Sequence, residues 1–403
     1  MNTFRDIIPY KGSCSFVGSR SVTGQKSEQL IKLSVILALS GYVQYSGAAN
    51  GTDTSSEFGA KLAHDLLCKK LNLNKTGYAD VMKIFLPWNG FSGRFIEPKN
   101  GYIGDNPANE QFAAQIAQNH YVPWPHSPDP VRKLMTRNVY QVLDNDLTSH
   151  VKFVIAYTSD GVTDGLKTTT KTGGTGQAIR VATTYGVPVF NLGNEKDEKR
   201  LLSWVESESK IIKEKYGIDI DQEVKLAIEN YSPFKTTLKE KDLVDIIKSG
   251  DAEVVIHGCN CFNVKGSGLA KSIFDNFPEA YEADNATKKG EKKKLGTYTM
   301  AQTIQNGKPV TIINAYTQYK YGRDGELYAD YEAIRKVFKQ IQKDFPGKEL
   351  TIPKIGAGLA NGCWVSIANT IKNEVRGPIT LITNGPSMNY EKKIVYTQSE
   401  LDL

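Results

Sequence analysis

The chain has 403 residues, 40% of them apolar, with 50 basic against 44 acidic side chains and a formal net charge of +6. That length predicts two domains, the apolar share suffices for real cores, and so mild a positive balance does not by itself argue for nucleic acid. The five cysteines (Cys14, Cys68, Cys259, Cys261, Cys363) show no disulfide-like spacing and read as reduced thiols. No run reaches the ~18 apolar residues of a membrane span, and the N-terminus lacks the apolar core of a secretory signal. A soluble, cytoplasmic protein without membrane contact is expected.

Taken in chain order, strands are predicted at 13–18, 42–46, 82–86, 153–157 and 187–191. Helical patterns fill 25–39, 55–71, 109–119, 130–147 and 176–185. Strands alternating with helices imply a mostly parallel sheet covered on both faces. From Glu195 to Tyr231 the chain is charged and helix-prone, and Pro233 breaks that pattern. The alternation then resumes. Helices are predicted at 241–248, 269–277, 329–345 and 364–375, and strands at 253–257, 297–303, 311–316, 350–355 and 379–383. The expected fold class is therefore two three-layer α/β domains: residues 1–194, a helical linker at 195–235, and a second domain at 236–403.

Three small-residue loops follow predicted strands of the first half: GSRSVTGQ from Gly18, SGAANGTD from Ser46, and TGGTGQA from Thr172. Loops at the carboxyl ends of strands line one crevice in an open α/β sheet. Glycine lets a backbone approach a ligand, and helix N-termini attract anions. These loops, with TRN at Thr136–Asn138 and GVPVFNL before residue 193, resemble the DprA/LOG-like Rossmann group (SLOG) over about residues 13–192. The resemblance implies a nucleotide-binding domain with Gly18, Ser19, Arg20, Ser46, Gly47, Asp53, Arg137, Asn138, Gly173, Gly174, Thr175 and Gly176 at its site. Its phosphoribohydrolase members carry a GGxGTxxE motif with a catalytic Glu. Here Arg180 stands in that place, so binding without cleavage is expected.

The second half carries KEKDLVD, then VVIHGCNCFNVKGSGLAKSIF, then TIINAYTQ, then IPKIGAGLANGCW. A diphosphate needs convergent N–H donors, which GSGLA and GAGLANG before two helices supply. Four segments in this order resemble macro domains, the ADP-ribose-binding modules, and in particular the ADP-ribose-1″-phosphate-processing branch, over about residues 236–385. The resemblance implies Asp242 on the adenine amino group. It implies Asn260, Gly266, Ser267, Gly268, Leu269 and Ala270 on ribose and phosphate, and Gly356, Ala357, Gly358, Leu359 and Ala360 as the second phosphate loop. Glycohydrolase relatives use a Lys and an Asp where this chain has Gln318 and GLANGCW, so that mechanism is not expected.

A phosphatase acting on ADP-ribose-1″-phosphate is the alternative activity. Asp330 and His257 are its candidate acid/base groups, with Asp324 a further one. Each has a plainer reading: His257 as a packed core histidine, the one favoured, and Asp330 as a helix N-cap. His257, Cys259 and Cys261 share a strand face, but C-x-x-C spacing is absent, and neither metal nor cofactor is expected. The run KKGEKKK at 288–294 reads as a solvated loop. Tyrosines 316, 319, 321, 328 and 331 are candidates for stacking on a ligand. The expected ligand is ADP-ribose or a related NAD-derived nucleotide, held by a homo-oligomer that associates through its N-terminal domain. A phage-type fusion of this kind implies the host cytoplasm and a counter-defence role. A DprA-like single-stranded DNA-binding role is the third and least favoured expectation.

Overall fold

The computed structural model describes residues 2–234, 242–265 and 268–383. The described residues divide into two units, one with those up to Val22 and Lys26–Glu229, the other with Thr23–Gln25 and those from Asn230 on. Up to residue 230 the elements are α1 (Phe4–Ile7), β1 (Gly12–Gly18), α2 (Gly24–Leu39), β2 (Tyr42–Ser46), α3 (Thr52–Leu71), β3 (Met82–Phe85), β4 (Tyr102–Ile103), α4 (Glu110–Asn119), α5 (Asp129–Leu143), β5 (Val154–Tyr157), α6 (Thr175–Thr184), β6 (Val189–Asn191), α7 (Glu195–Tyr216) and α8 (Ile220–Asn230).

The six strands form one parallel sheet in the order β4-β3-β2-β1-β5-β6. The strand β1, GSCSFVG, is buried along nearly its whole length, as a central parallel strand with covered faces must be. Side chains alternate across the sheet. Val43 and Tyr45 join the core that α4, α5 and α6 supply through residues such as Ala113, Val139 and Ile179. Gln44 points to the opposite face, where its side chain bonds Ser34 of α2. The charged stretch expected to link the domains is tied to the first unit by Lys26 to Glu198 of α7 and by Lys32 to Asp221 of α8 (2.7 Å). Asn194 caps α7 by accepting from the N–H groups of Lys196 and Asp197.

The second unit continues with α9 (Leu243–Ser249), β7 (Val254–Asn260), α10 (Gly268–Asn276), α11 (Pro278–Asn285), β8 (Tyr298–Gln305), β9 (Lys308–Gln318), α12 (Tyr331–Asp344), β10 (Leu350–Pro353), α13 (Trp364–Glu374) and β11 (Ile379–Ile382). Its sheet runs β11-β10-β7-β9-β8, parallel except for the edge strand β8, which pairs antiparallel to β9. On α12 the buried residues Tyr331, Ile334, Val337, Phe338 and Ile341 recur at helical spacing, and Asp330 caps the helix start. The helices α9, α10 and α11 share a core with Val255, Cys259, Ile312 and Tyr316. Among the described residues no helix is long and apolar enough to cross a membrane.

Candidate functional sites

In both sheets the strand order reverses beside the first strand laid down. In the first unit the reversal lies between β1 and β5, and in the second between β7 and β10. Loops leaving such neighbours diverge and open a crevice. Each unit has one there.

The first-unit crevice has a volume of 370 Å³ and is lined by Gly18, Ser19, Arg20, Asp53, Arg137, Asn138, Gly173, Gly174 and Thr175, all expected from sequence. Thr158, Ser159, Gln141, Met135 and Lys171 also line it and were not expected. Ser46, Gly47 and Gly176, also expected, do not line it. Side-chain bonds hold the walls: Thr172 Oγ1 donates to Asp160 (2.6 Å), and Asn191 Nδ2 donates to Thr158 Oγ1 (2.7 Å).

The glycines here have different reasons. A Cβ on Gly18 would lie 2.2 Å from Thr52 Oγ1, and one on Gly51 would lie 2.3 Å from the Ser19 carbonyl oxygen. Those two let neighbouring loops pack. A Cβ on Gly173 would meet nothing within 4 Å, and one on Gly174 would meet only Met135 Cε at 3.7 Å. These two leave open space over the start of α6, whose dipole is positive at that end.

Arg137 is the chemical centre. It is 4% exposed, its Nη1 lies 3.7 Å from Asp53 Oδ2, and among the described residues neither Nε nor Nη1 has a hydrogen-bond partner. Burial pulls its pKa down to about 10, against the pull of Asp53. Burial pushes the Asp53 carboxyl up to about 6, opposed by Arg137 and by the Ala49 N–H. Buried guanidinium donors without acceptors are costly, and an anion between Arg137, Arg20 and Lys171 would satisfy them. Arg180, at the place of the motif's Glu, turns elsewhere: its Nη1 donates to the His120 carbonyl (3.0 Å).

The second-unit cleft has a volume of 620 Å³. Its lining includes Asn260, Gly268, Leu269, Ala270, Gly356, Gly358, Leu359 and Ala360 from the two expected loops, together with Gln318 and Tyr321. Gly266 and Ser267 lie outside the described residues, and Ala357 does not line the cleft. Gly268 has φ +70° at the start of α10, a backbone shape that suits glycine. A Cβ on Gly358 would meet nothing within 4 Å, whereas one on Gly356 (φ +74°) would press on Ile367 Cδ1 at 3.1 Å. Sequence reasoning missed Arg323, Lys354 and Asp284, which also line the cleft.

Four expected residues sit elsewhere. Asp242 is exposed and caps α9, accepting from the Val244 N–H at 2.7 Å. His257 is fully buried and edge-on to Phe274. Asn314 Nδ2 is committed to the Ala280 carbonyl, so its Oδ1 accepts from His257 Nε2 at 2.7 Å. Burial pulls the His257 pKa down to about 4; this is a neutral core histidine. Asp330 accepts from the Ala333 N–H at 2.8 Å as an N-cap, and Asp324 is taken up by the Tyr328 hydroxyl. No group of three or more His, Cys, Asp or Glu side chains converges for a metal among the described residues. Lys294, read as part of a solvated run, is buried (6% exposed) and bonds Asn263.

No family model matches the chain. Over 124 residues it is 31% identical to the uncharacterized 17.5 kDa protein in the tk-vs intergenic region of Enterobacteria phage T4, covering 30% of this chain and 79% of that protein. Similar solved structures include a protein of unknown function from Bacteroides thetaiotaomicron (22% identity, 37% of this chain, 98% of that chain, TM-score 0.32). They also include the macrodomain of Mycobacterium tuberculosis DarG (16% identity, 38% and 99%, TM-score 0.30). A third is Thermosipho africanus DarTG in complex with ADP-ribose (15% identity, 37% and 42%, TM-score 0.29).

Proposed function

The chain belongs to the family of the phage T4 17.5 kDa protein, and on that premise we propose that it binds ADP-ribose or a related NAD-derived nucleotide in the second-unit cleft. One observation carries this reading. Two glycine-bearing loops, each running into a helix, face one another across a 620 Å³ cleft, with Arg323 and Lys354 at its lining. That volume is within the range of nucleotide-sized ligands. Helix N-termini with nearby cations suit a diphosphate. We read the second unit as a macro domain and the first as a SLOG/DprA-LOG-like nucleotide binder.

Holding, rather than hydrolysis, is the activity we assign. His257 is buried away from the cleft and Asp330 is spent as a cap, so neither supports the phosphatase alternative. Sequestering an NAD-derived signal fits a phage-type protein acting against a host defence.

Calorimetry of the full chain with ADP-ribose tests the reading, with Gly358→Glu and Gly174→Glu as variants. Each glutamate enters open space, so the fold is kept while a like charge meets the phosphates. Binding lost with Gly358→Glu alone supports the reading. Binding lost with Gly174→Glu alone moves the ligand to the first unit. Recovery of intact ADP-ribose after denaturing the complex separates holding from hydrolysis.

A further inference from the structure

We propose that Asp284, in the lining of the second-unit cleft, is a ligand-binding residue that accepts a hydrogen bond from a ribose hydroxyl of the bound nucleotide. It names a contact within the site read above and rests on that reading.

The cleft needs an acceptor as well as donors. Asp242, the carboxylate expected to serve there, is exposed and caps its own helix. Asp284 is the one carboxylate among the described lining residues. It lies in the last turn of α11, is 1% exposed, and reaches the cleft beside Cys259 and Phe274.

Its surroundings hold it ready. The Tyr316 hydroxyl donates to Oδ1 at 2.7 Å. The Lys294 ammonium lies 3.9 Å from the same oxygen, donates to Asn263 Oδ1 at 2.7 Å, and sits 4.4 Å over the Tyr316 ring. Among the described residues no hydrogen bond reaches Oδ2. One oxygen is thus anchored by protein groups and the other is left for the ligand. Burial raises the Asp284 pKa, with Tyr316 and Lys294 opposing.

The chemistry narrows the contact. A carboxylate accepts only and repels phosphate. The neutral donors on an ADP-ribose-type ligand are its ribose hydroxyls and the adenine amino group. Asp284 lines the cleft together with Cys259, next to Asn260 where the first glycine loop begins. The ligand portion against these residues is therefore the part bordering the phosphates, which is ribose. Hydroxyl-to-carboxylate bonds are charge-assisted and discriminate strongly against ligands lacking the hydroxyl.

The test is calorimetry of the full chain with five probes: ADP-ribose, ADP, 2′-deoxy-ADP-ribose, 3′-deoxy-ADP-ribose, and the ADP-ribose analogue carrying hypoxanthine. Asp284→Ala should weaken ADP-ribose by about 10- to 100-fold. The effect should vanish for at least one probe that lacks a ribose or a ribose hydroxyl. An unchanged ADP-ribose affinity overturns the proposal, as does an equal loss for all five probes. A loss that vanishes only with hypoxanthine assigns the contact to adenine and also overturns it. If Asp284→Ala misfolds, Asp284→Asn keeps the shape and the Tyr316 acceptor, and the same comparison decides. Wild-type protein that binds no ADP-ribose sinks the reading of the site itself. Wild-type binding that Asp284 variants leave intact sinks only this contact.

Discussion

The guanidinium of Arg137 occupies the space that any side chain on residue 47 would need. A Cβ built on Gly47 would lie 1.1 Å from Arg137 Nη1 and 2.1 Å from its Cζ. Gly47 therefore serves the site without lining it, by letting a buried cation lie across the loop after β2.

Gly47→Ala should displace Arg137 and destabilise the first unit by about 1–3 kcal/mol, the usual cost of overpacking. In an Arg137→Ala background the same change should cost less than about 0.5 kcal/mol, because the clash is gone. Urea unfolding of the four proteins in this cycle measures the coupling. Additive effects would show that the clash is relieved some other way.

Asp53 and His257 give the two units opposite pH responses. The Asp53 pKa is raised from 3.8 to about 6. Its contribution is fully present below about pH 4 and is lost as pH rises through 6. The His257 pKa is lowered from 6.5 to about 4. Its contribution is present above pH 6.5 and is lost as pH falls through 4. From pH 4 to pH 7, stability relative to Asp53→Asn should fall by up to about 3 kcal/mol, and stability relative to His257→Gln should rise by up to about 3 kcal/mol. Hydrogen exchange of strand amides, read separately in each sheet, follows the two slopes.

Two glycines of one loop should behave differently. Gly356→Ala forces a side chain into a positive-φ position against Ile367 and should cost about 1–3 kcal/mol. Gly358→Ala enters open space and should change stability by less than about 0.5 kcal/mol. Thermal unfolding distinguishes them.

Asp330→Ala should cost about 1 kcal/mol through the lost cap on α12, and Asp330→Ser should restore most of it. ADP-ribose affinity should stay within twofold in both. A large affinity loss that serine fails to restore would give Asp330 a role at the ligand.

The alternation of apolar runs and small-residue loops made both sheets legible, because central parallel strands are buried on two faces and need no polar alternation. The strand Tyr102–Ile103 was missed because two residues carry no period. The helix α11 was missed because Pro278 begins a new helix directly after α10, and its first position suits proline. Site loops were readable because open glycines and packing glycines look alike in sequence, and both kinds gather where loops crowd. What sequence does not carry is partnership. Burial of Lys294 depends on Asn263 and Asp284, each brought to it by the fold. The packed-core reading favoured for His257 holds, but that Asn314 would be the partner of its ring could not be read from sequence.

Arg137 has a further consequence. A buried cation with two guanidinium nitrogens unbonded among the described residues keeps the first unit below the stability its fold would otherwise reach. Arg137→Met, apolar and of similar length, would be expected to yield a sturdier domain without that cation. Resistance to heat and retention of a buried cation are thus opposed at one side chain. A screen that selected only for thermal robustness would tend to replace that cation first.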